Sequence, residues 1–372
     1  MSMWKKIKEL FKSTPFNIAL IFALTGIVFY ITVKDQAGEI LQMFENADLR
    51  YILLIFVILI AEKCLLGWGL ATECKQSHPK YRVSQGIVNA YVAGLFNNIT
   101  PGASGGQIAQ GYIFKKQGIP YSNSIGVLWL DFIVYQSTMT IYVLLLLVLR
   151  FGYFYSNYSQ FFLIVIAGFV VSSAIIVFLW MLARSPRFYT WLTTTGINIG
   201  AKLRIVKDRE ATLNKLDEQL QAFGREIVVL QTHKKMIIQL VFITAARLTI
   251  QYSVPFFAAK ALRIPVGTDQ LLNIISLSAF VSMVNAFLPM PGSSGGTEAT
   301  FVLMYSTIFS SVDATSIMIL WRVMTFYLVL VIGSIVFAWA KTQKDVPVDT
   351  EARVPTTFAP EVYSGGEEIQ ER

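Results

Sequence analysis

The sequence predicts an all-α polytopic membrane protein, with six full spans and two broken helical hairpins in an inverted-repeat arrangement. Three observations predict it: a composition too apolar for a soluble chain, six runs long enough to cross a bilayer, and a glycine-rich motif that occurs twice. Of 372 residues, 54% are hydrophobic and only 15% charged, with a mean hydropathy of +0.55. About a quarter of the residues of a soluble chain carry charge. The 13% aromatic content and 24 glycines fit membrane helices, which use Trp and Tyr at the interfaces and Gly where helices pack.

The formal charge of +8 would suit a nucleic-acid binder, but the basic residues fall in loops between apolar runs rather than on one soluble face. No nucleic acid is expected as partner. Two cysteines (Cys64, Cys74) and two histidines (His78, His233) are too few for a disulfide framework or a Cys/His metal site, so neither metal nor cofactor is expected.

Apolar runs able to cross about 30 Å of hydrocarbon lie at 16–33, 51–73, 122–149, 160–183, 236–260 and 314–340. The first has no small-residue cleavage site after it and reads as a retained span. Segments 83–116 and 270–310 are moderately apolar and broken by Pro-Gly and Gly-Gly. Each folds as a hairpin, re-entrant or with two thin spanning legs, and either way returns the chain to the side it entered from. With a cytoplasmic N-terminus, the inner loops hold 23 Lys and Arg and the outer loops 5, which satisfies the positive-inside rule and puts both termini in the cytoplasm. Leu203, Val206, Leu213, Leu216, Leu220, Phe223, Ile227 and Leu230 recur at mostly helical steps, predicting an amphipathic cytoplasmic helix over 200–231. The membrane domain is expected to cover 1–341, followed by a disordered cytoplasmic tail over 342–372, rich in Pro, Glu, Ser and Gly.

Pro101-Gly102-Ala103-Ser104-Gly105-Gly106-Gln107 recurs as Pro291-Gly292-Ser293-Ser294-Gly295-Gly296-Thr297, an offset of 190. The spans at 51–73 and 122–149 land on later spans at the same offset, so residues 51–149 and 236–340 are expected to be two copies of one span, broken hairpin and span. Three crossings separate the starts of the copies. An odd number reverses the direction of entry and inverts one copy in the membrane, a plan shared with many secondary transporters.

In hydrocarbon, irregular backbone is tolerated only where protein or a water-filled cavity shields it. A Pro-Gly-x-Ser-Gly-Gly turn frees several backbone groups and must line something polar. The helices restarting after Gly106 and Gly296 would offer N-terminal amides to an anion such as a phosphate, with Ser104, Ser293, Ser294 and Thr297 adding hydroxyls. The competing reading is a glycine-lined kink that lets helices pack closely.

Six ionisable side chains fall at membrane depth: Glu62, Lys63, Asp131, Arg247, Glu298 and Arg322. Facing lipid at mid-depth, each would cost about 2.5–3.5 kcal/mol, so they must pair or face inward. Three acids and three bases allow purely structural ion pairs, adjacent Glu62-Lys63 above all. The functional alternative gives Arg247, Arg322 and, as a weaker candidate, Lys63 a phosphate to bind. Glu298, Asp131 and the weaker candidate Glu62 would then meet amino or hydroxyl groups.

The segments Asn97-Asn98-Ile99-Thr100-Pro101-Gly102-Ala103-Ser104-Gly105-Gly106-Gln107 and Leu288-Pro289-Met290-Pro291-Gly292-Ser293-Ser294-Gly295-Gly296-Thr297-Glu298 resemble those of the lysylphosphatidylglycerol synthase transmembrane-region family, the flippase half of the bacterial multiple peptide resistance factor. The resemblance covers residues 10–341. It implies a bacterial cell-membrane protein that moves a phospholipid, aminoacylated phosphatidylglycerol or glycolipid headgroup between leaflets. The synthase of that family is a separate C-terminal soluble domain, and the 31 residues after Lys341 do not resemble one, so a free-standing, non-enzymatic member is expected. The first copy carries Ile108 where the second carries Glu298, so the two halves differ chemically. Two other readings stay open: an ion-coupled small-solute transporter, and a non-transporting scaffold for glycolipid or lipoteichoic-acid synthesis. A second copy of the chain and a lipid-synthesising enzyme stay open as partners.

Overall fold

The computed structural model describes residues 37–100, 105–152, 232–285 and 295–347, with isolated residues between 155 and 195. The expected spans at 16–33 and 160–183, the amphipathic segment 200–231 and the tail beyond 347 lie outside the described residues, save those isolated positions. So do both motif tips, 101–104 and 286–294.

Every described element is helical: α1 (Ala37–Glu45), α2 (Leu49–Cys74), α3 (Val83–Ile99), α4 (Gly105–Lys116), α5 (Tyr121–Leu149), α6 (Lys234–Ala261), α7 (Leu271–Asn285), α8 (Gly296–Tyr305), α9 (Ser311–Arg322) and α10 (Leu328–Thr342). A π-helical turn, Val323–Tyr327, joins α9 to α10 without a break. Among the described residues, four helices are long and apolar enough to cross a membrane: α2, α5, α6 and the continuous Ser311–Thr342 rod. The second legs of the broken pairs, α4 with 12 residues and α8 with 10, are about 18 and 15 Å long at 1.5 Å per residue. Neither leg alone reaches across about 30 Å of hydrocarbon.

The same order of elements occurs twice. A long helix (α2, α6) is followed by a pair broken at the glycine motif (α3–α4, α7–α8) and by a second long helix (α5, α9–α10). The restarts fall at Gly105 and Gly296, close to the 190-residue offset of the motif.

Local chemistry sets the helix ends. The Asp48 carboxylate accepts from the Arg50 amide at 2.9 Å and starts α2. The Asp48 amide donates to the Ala261 carbonyl at 2.7 Å, tying the start of α2 to the end of α6. These two helices pack along most of their length. Helices α2 and α3 cross at Gly67 and Gly86, where a Cβ on Gly86 would collide with the Gly67 carbonyl. Only glycine permits that approach. The largest apolar core joins α2, α5, α6, α7, α8 and α9 around Ile55, Leu248, Ile274, Phe301 and Ile317. Within it the Ser278 hydroxyl meets the Tyr305 hydroxyl at 2.7 Å and the Tyr252 carbonyl at 2.9 Å, which links α6, α7 and α8.

Outside the spans, the Tyr81 hydroxyl donates to Gln117 Oε1 at 2.7 Å, and the Gln117 amide donates to the Gln85 carbonyl at 3.0 Å. Burial holds the Tyr81 phenol above its ordinary pKa, so it stays a donor. Residues 343–347, the first of the expected tail, return to the end of α4. The Val346 amide donates to the Lys116 carbonyl at 2.9 Å, and Lys116 Nζ meets the Asp345 carboxylate at 3.2 Å.

Candidate functional site

The membrane-depth charges form two groups. In the first, Glu62 and Lys63 are neighbours on α2. Lys63 Nζ lies 3.0 Å from Glu62 Oε2, and Arg247 Nε on α6 lies 3.3 Å from Glu62 Oε1. Glu62 is buried and both cations are nearly so. Asp131, half-buried on α5, stands within electrostatic reach of Arg247. Among the described residues it forms no ion pair.

In the second group, Glu298 in the first turn of α8 lies 2.7 Å from Arg322 Nε at the end of α9. Both side chains are buried. The other Glu298 oxygen accepts from the Gly295 amide at 2.6 Å. Gly295 has φ of +86°, a conformation open to glycine at little cost, and it turns that amide back onto the carboxylate. The Arg322 guanidinium lies 4.0 Å over the Phe326 ring, a cation–π contact. Phe326 in turn packs on Ile99, the last residue of α3. A continuous run of contacts therefore leads from the restart of the second broken pair to the break of the first.

The first break is capped differently. The Gly105 amide donates to Thr100 Oγ1 at 2.8 Å and the Gly106 amide to Asn97 Oδ1 at 3.0 Å. A Cβ on Gly106 would occupy the position of the Asn97 amide group, so glycine is what admits the cap. The expectation that these restarts present open amides to an anion is therefore corrected in part. The amides of Gly105, Gly106 and Gly295 are already taken by protein acceptors. The physical reason is that a helix start in a low-dielectric interior must satisfy its donors when no ligand is present.

Of the remaining expected site residues, Thr297 is buried beside Glu298, while Gln107 and Ile108 are exposed on α4. Pro101, Gly102, Ser104, Pro291, Gly292, Ser293 and Ser294 lie outside the described residues. Sequence reasoning missed the capping roles of Asn97 and Thr100. The signal was present, since two polar side chains precede the Pro-Gly break within a turn of α3.

It also missed a pocket on the flank of α2. It is lined by Glu62, Lys63, Tyr91, Gln251 and Thr325 together with apolar side chains of α2, the π turn and α10. The cavity is small, about 50 Å³, and part of it opens to the surface. The π turn places Thr325 on this pocket, with its hydroxyl donating to the Trp321 carbonyl at 2.7 Å. Single π turns inside α-helices occur often at functional sites.

With the broken pairs and the buried charges in place, comparison with known families decides the membership. The model of the lysylphosphatidylglycerol synthase TM region matches residues 17–333. The chain belongs to that family. It is thus a membrane-embedded protein of a family related to lipid handling, and the match takes in both broken pairs and both charge groups. Comparison with curated proteins and with solved structures finds no match.

Proposed function

We propose that this member of the lysylphosphatidylglycerol synthase transmembrane-region family is a lipid flippase or translocase. It moves a phospholipid or lipid-linked headgroup between the leaflets of a bacterial cytoplasmic membrane. Aminoacylated phosphatidylglycerol, other anionic phospholipids and glycolipids are the candidate cargoes. The observation that carries the reading is the run from Glu298 through Arg322 and Phe326 to Ile99, which connects a buried charge pair at the second break to the first break. Ionisable residues at membrane depth are costly, and they commonly mark substrate and ion paths.

In this reading the two copies are inverted in the membrane, both termini are cytoplasmic, and one copy moves against the other to open the site alternately to each side. The headgroup occupies the polar interior while acyl chains stay in lipid. The protein acts as a carrier and catalyses no aminoacyl transfer.

A specific observation favours a second reading. The Glu298–Arg322 and Glu62–Lys63–Arg247 groups are already paired without a ligand, as they would be in a non-transporting scaffold for lipid synthesis. The two readings separate in vesicles carrying labelled anionic phospholipid, aminoacylated phospholipid or glycolipid. A carrier accelerates transbilayer exposure of at least one label. Unchanged rates across the whole panel remove the flippase reading.

A further inference from the structure

Three described carboxylates lie at membrane depth, and two of them are fixed in place. Glu62 has Lys63 Nζ at 3.0 Å and Arg247 Nε at 3.3 Å, and Glu298 has Arg322 Nε at 2.7 Å and the Gly295 amide at 2.6 Å. Neither can take up a proton without giving up a buried cation, which is the costly outcome when an ion pair is opened. Asp131 differs. Among the described residues it forms no ion pair and accepts no hydrogen bond, so its proton count can change without opening either.

The surroundings of Asp131 tie its charge to the contact between the two copies. Arg247 of α6 stands within its electrostatic reach while touching Glu62 of α2, and Tyr135, one turn along α5, lies within reach of all three. The other helices packed on α5 add little: α7 carries no ionisable side chain, and Lys115 and Lys116 of α4 end that helix before α5 begins, with Asp131 about 15 Å along from Tyr121. Ionised, Asp131 draws Arg247 of the second copy toward α5 of the first. Protonated, it leaves Arg247 to Glu62.

A row of hydroxyls leads away from this carboxylate. Asp131, Tyr135, Thr138 and Tyr142 follow at steps of four, three and four residues, which places them on one face of α5, about 4.5–6 Å apart along its axis. That face meets α6, where the Tyr142 hydroxyl lies 2.9 Å from Thr249 Oγ1 and the Tyr142 ring 6.1 Å from that of Tyr252. Between the two tyrosines, Thr138 Oγ1 is buried with no hydrogen-bond partner among the described residues. A helical threonine hydroxyl ordinarily bonds the carbonyl one turn back, as those of Thr249 and Thr325 do here. The Thr138 hydroxyl is left to bond a water or a passing proton carrier, the usual role of a buried polar atom without a protein partner. The row ends at Tyr142, about 10 Å from the Leu149 end of α5.

We propose that Asp131 is a proton-binding site, loaded along this hydroxyl row from the Leu149 end of α5, and that its protonation loosens the α5–α6 contact between the two copies. The carboxylate takes a proton from bulk water on one side and returns it to water on the other, so no further reactant is consumed. The coupling rests on the carrier reading above, but proton binding is separable from lipid movement.

The test uses the full chain in vesicles, read by infrared difference spectra between acidic and alkaline buffer. The expected result is a titrating carboxylic-acid band that is absent in Asp131→Asn and displaced in Asp131→Glu. Identical spectra for the three proteins overturn the site, and a band abolished by sodium ions at constant pH overturns the proton as its ligand. Thermal unfolding shows which variants are folded, and Asp131→Glu decides the assignment should Asp131→Asn not fold. Transbilayer exposure of a labelled phospholipid is then followed with and without an imposed pH gradient. The wild type is expected to respond several-fold and Asp131→Asn not at all, while Tyr142→Phe keeps the band and responds several-fold less. A wild-type rate indifferent to the gradient overturns the coupling, and an undiminished response in Tyr142→Phe overturns the row as the route. The Asp131 band without lipid movement removes the flippase reading and leaves the proton site, whereas lipid movement without the band removes the proton site alone.

Discussion

Glu298 holds Arg322 with one carboxylate oxygen and the Gly295 amide with the other, at 2.7 and 2.6 Å. One side chain thus closes the N-terminus of α8 and neutralises a buried guanidinium on α9. Removing it leaves both a helix start and a cation unsatisfied, so position 298 tolerates little.

Single substitutions here are expected to cost much more than the pair removed together. Arg322→Met or Glu298→Gln strands one buried partner, a loss of about 3–5 kcal/mol. The double variant replaces the pair by neutral groups, and the carboxamide oxygen introduced by Glu298→Gln still accepts from the Gly295 amide. Unfolding midpoints in detergent for the four members of the cycle check this. A double variant as unstable as the sum of the singles would contradict it.

The Asn97 cap predicts a rescue. Gly106→Ala drives a methyl into the Asn97 side chain, whereas Asn97→Ala loses a cap worth about 1 kcal/mol. The combination Asn97→Ala with Gly106→Ala should therefore be more stable than Gly106→Ala alone. Thermal unfolding of the three variants decides the order.

Much of this architecture was legible in the sequence, and the parts that were not have physical reasons. The four long helices follow from uninterrupted apolar runs, and the breaks in the two pairs follow from Pro-Gly and Gly-Gly. Adjacent Glu62 and Lys63 pointed to at least one member of an ion pair, and the structure pairs the two with each other and Glu62 with Arg247. Glu298 and Arg322 gave no such sign, because they sit on different helices and no spacing rule joins them. The π turn at Val323–Tyr327 has no Gly or Pro to mark it. Its one local trace is Thr325, whose hydroxyl bonds the carbonyl four residues back, a habit that bends helices. The amides of Gly105, Gly106 and Gly295 were misjudged because a glycine motif reveals which backbone groups are freed and leaves unstated which side chains return to cover them.

The π turn gives a prediction about motion. It holds one residue more than a regular α-helical turn, so deleting Val323, which is exposed, should leave Arg322 and Leu328 on their present faces. The shortened protein is expected to keep a near-normal unfolding temperature and to lose most lipid movement. Full transport in the deletion variant would show that the bulge is merely tolerated.

At the α4 end, the Lys116–Asp345 contact should matter little for stability. Asp345 is exposed and such pairs contribute about 0–1 kcal/mol, less in salt. Asp345→Ala is expected to leave the unfolding midpoint nearly unchanged at moderate ionic strength; a large shift would give the 343–347 return an anchoring role.

A role of the Glu298–Arg322 pair in lipid passage is read most directly from transbilayer exposure of a labelled anionic phospholipid in vesicles bearing the wild-type chain or the folded Glu298→Gln, Arg322→Met double variant. The wild type is expected to accelerate exposure and the double variant to give the protein-free rate. Equal acceleration by both would show the pair to be structural and contradict a role in lipid passage.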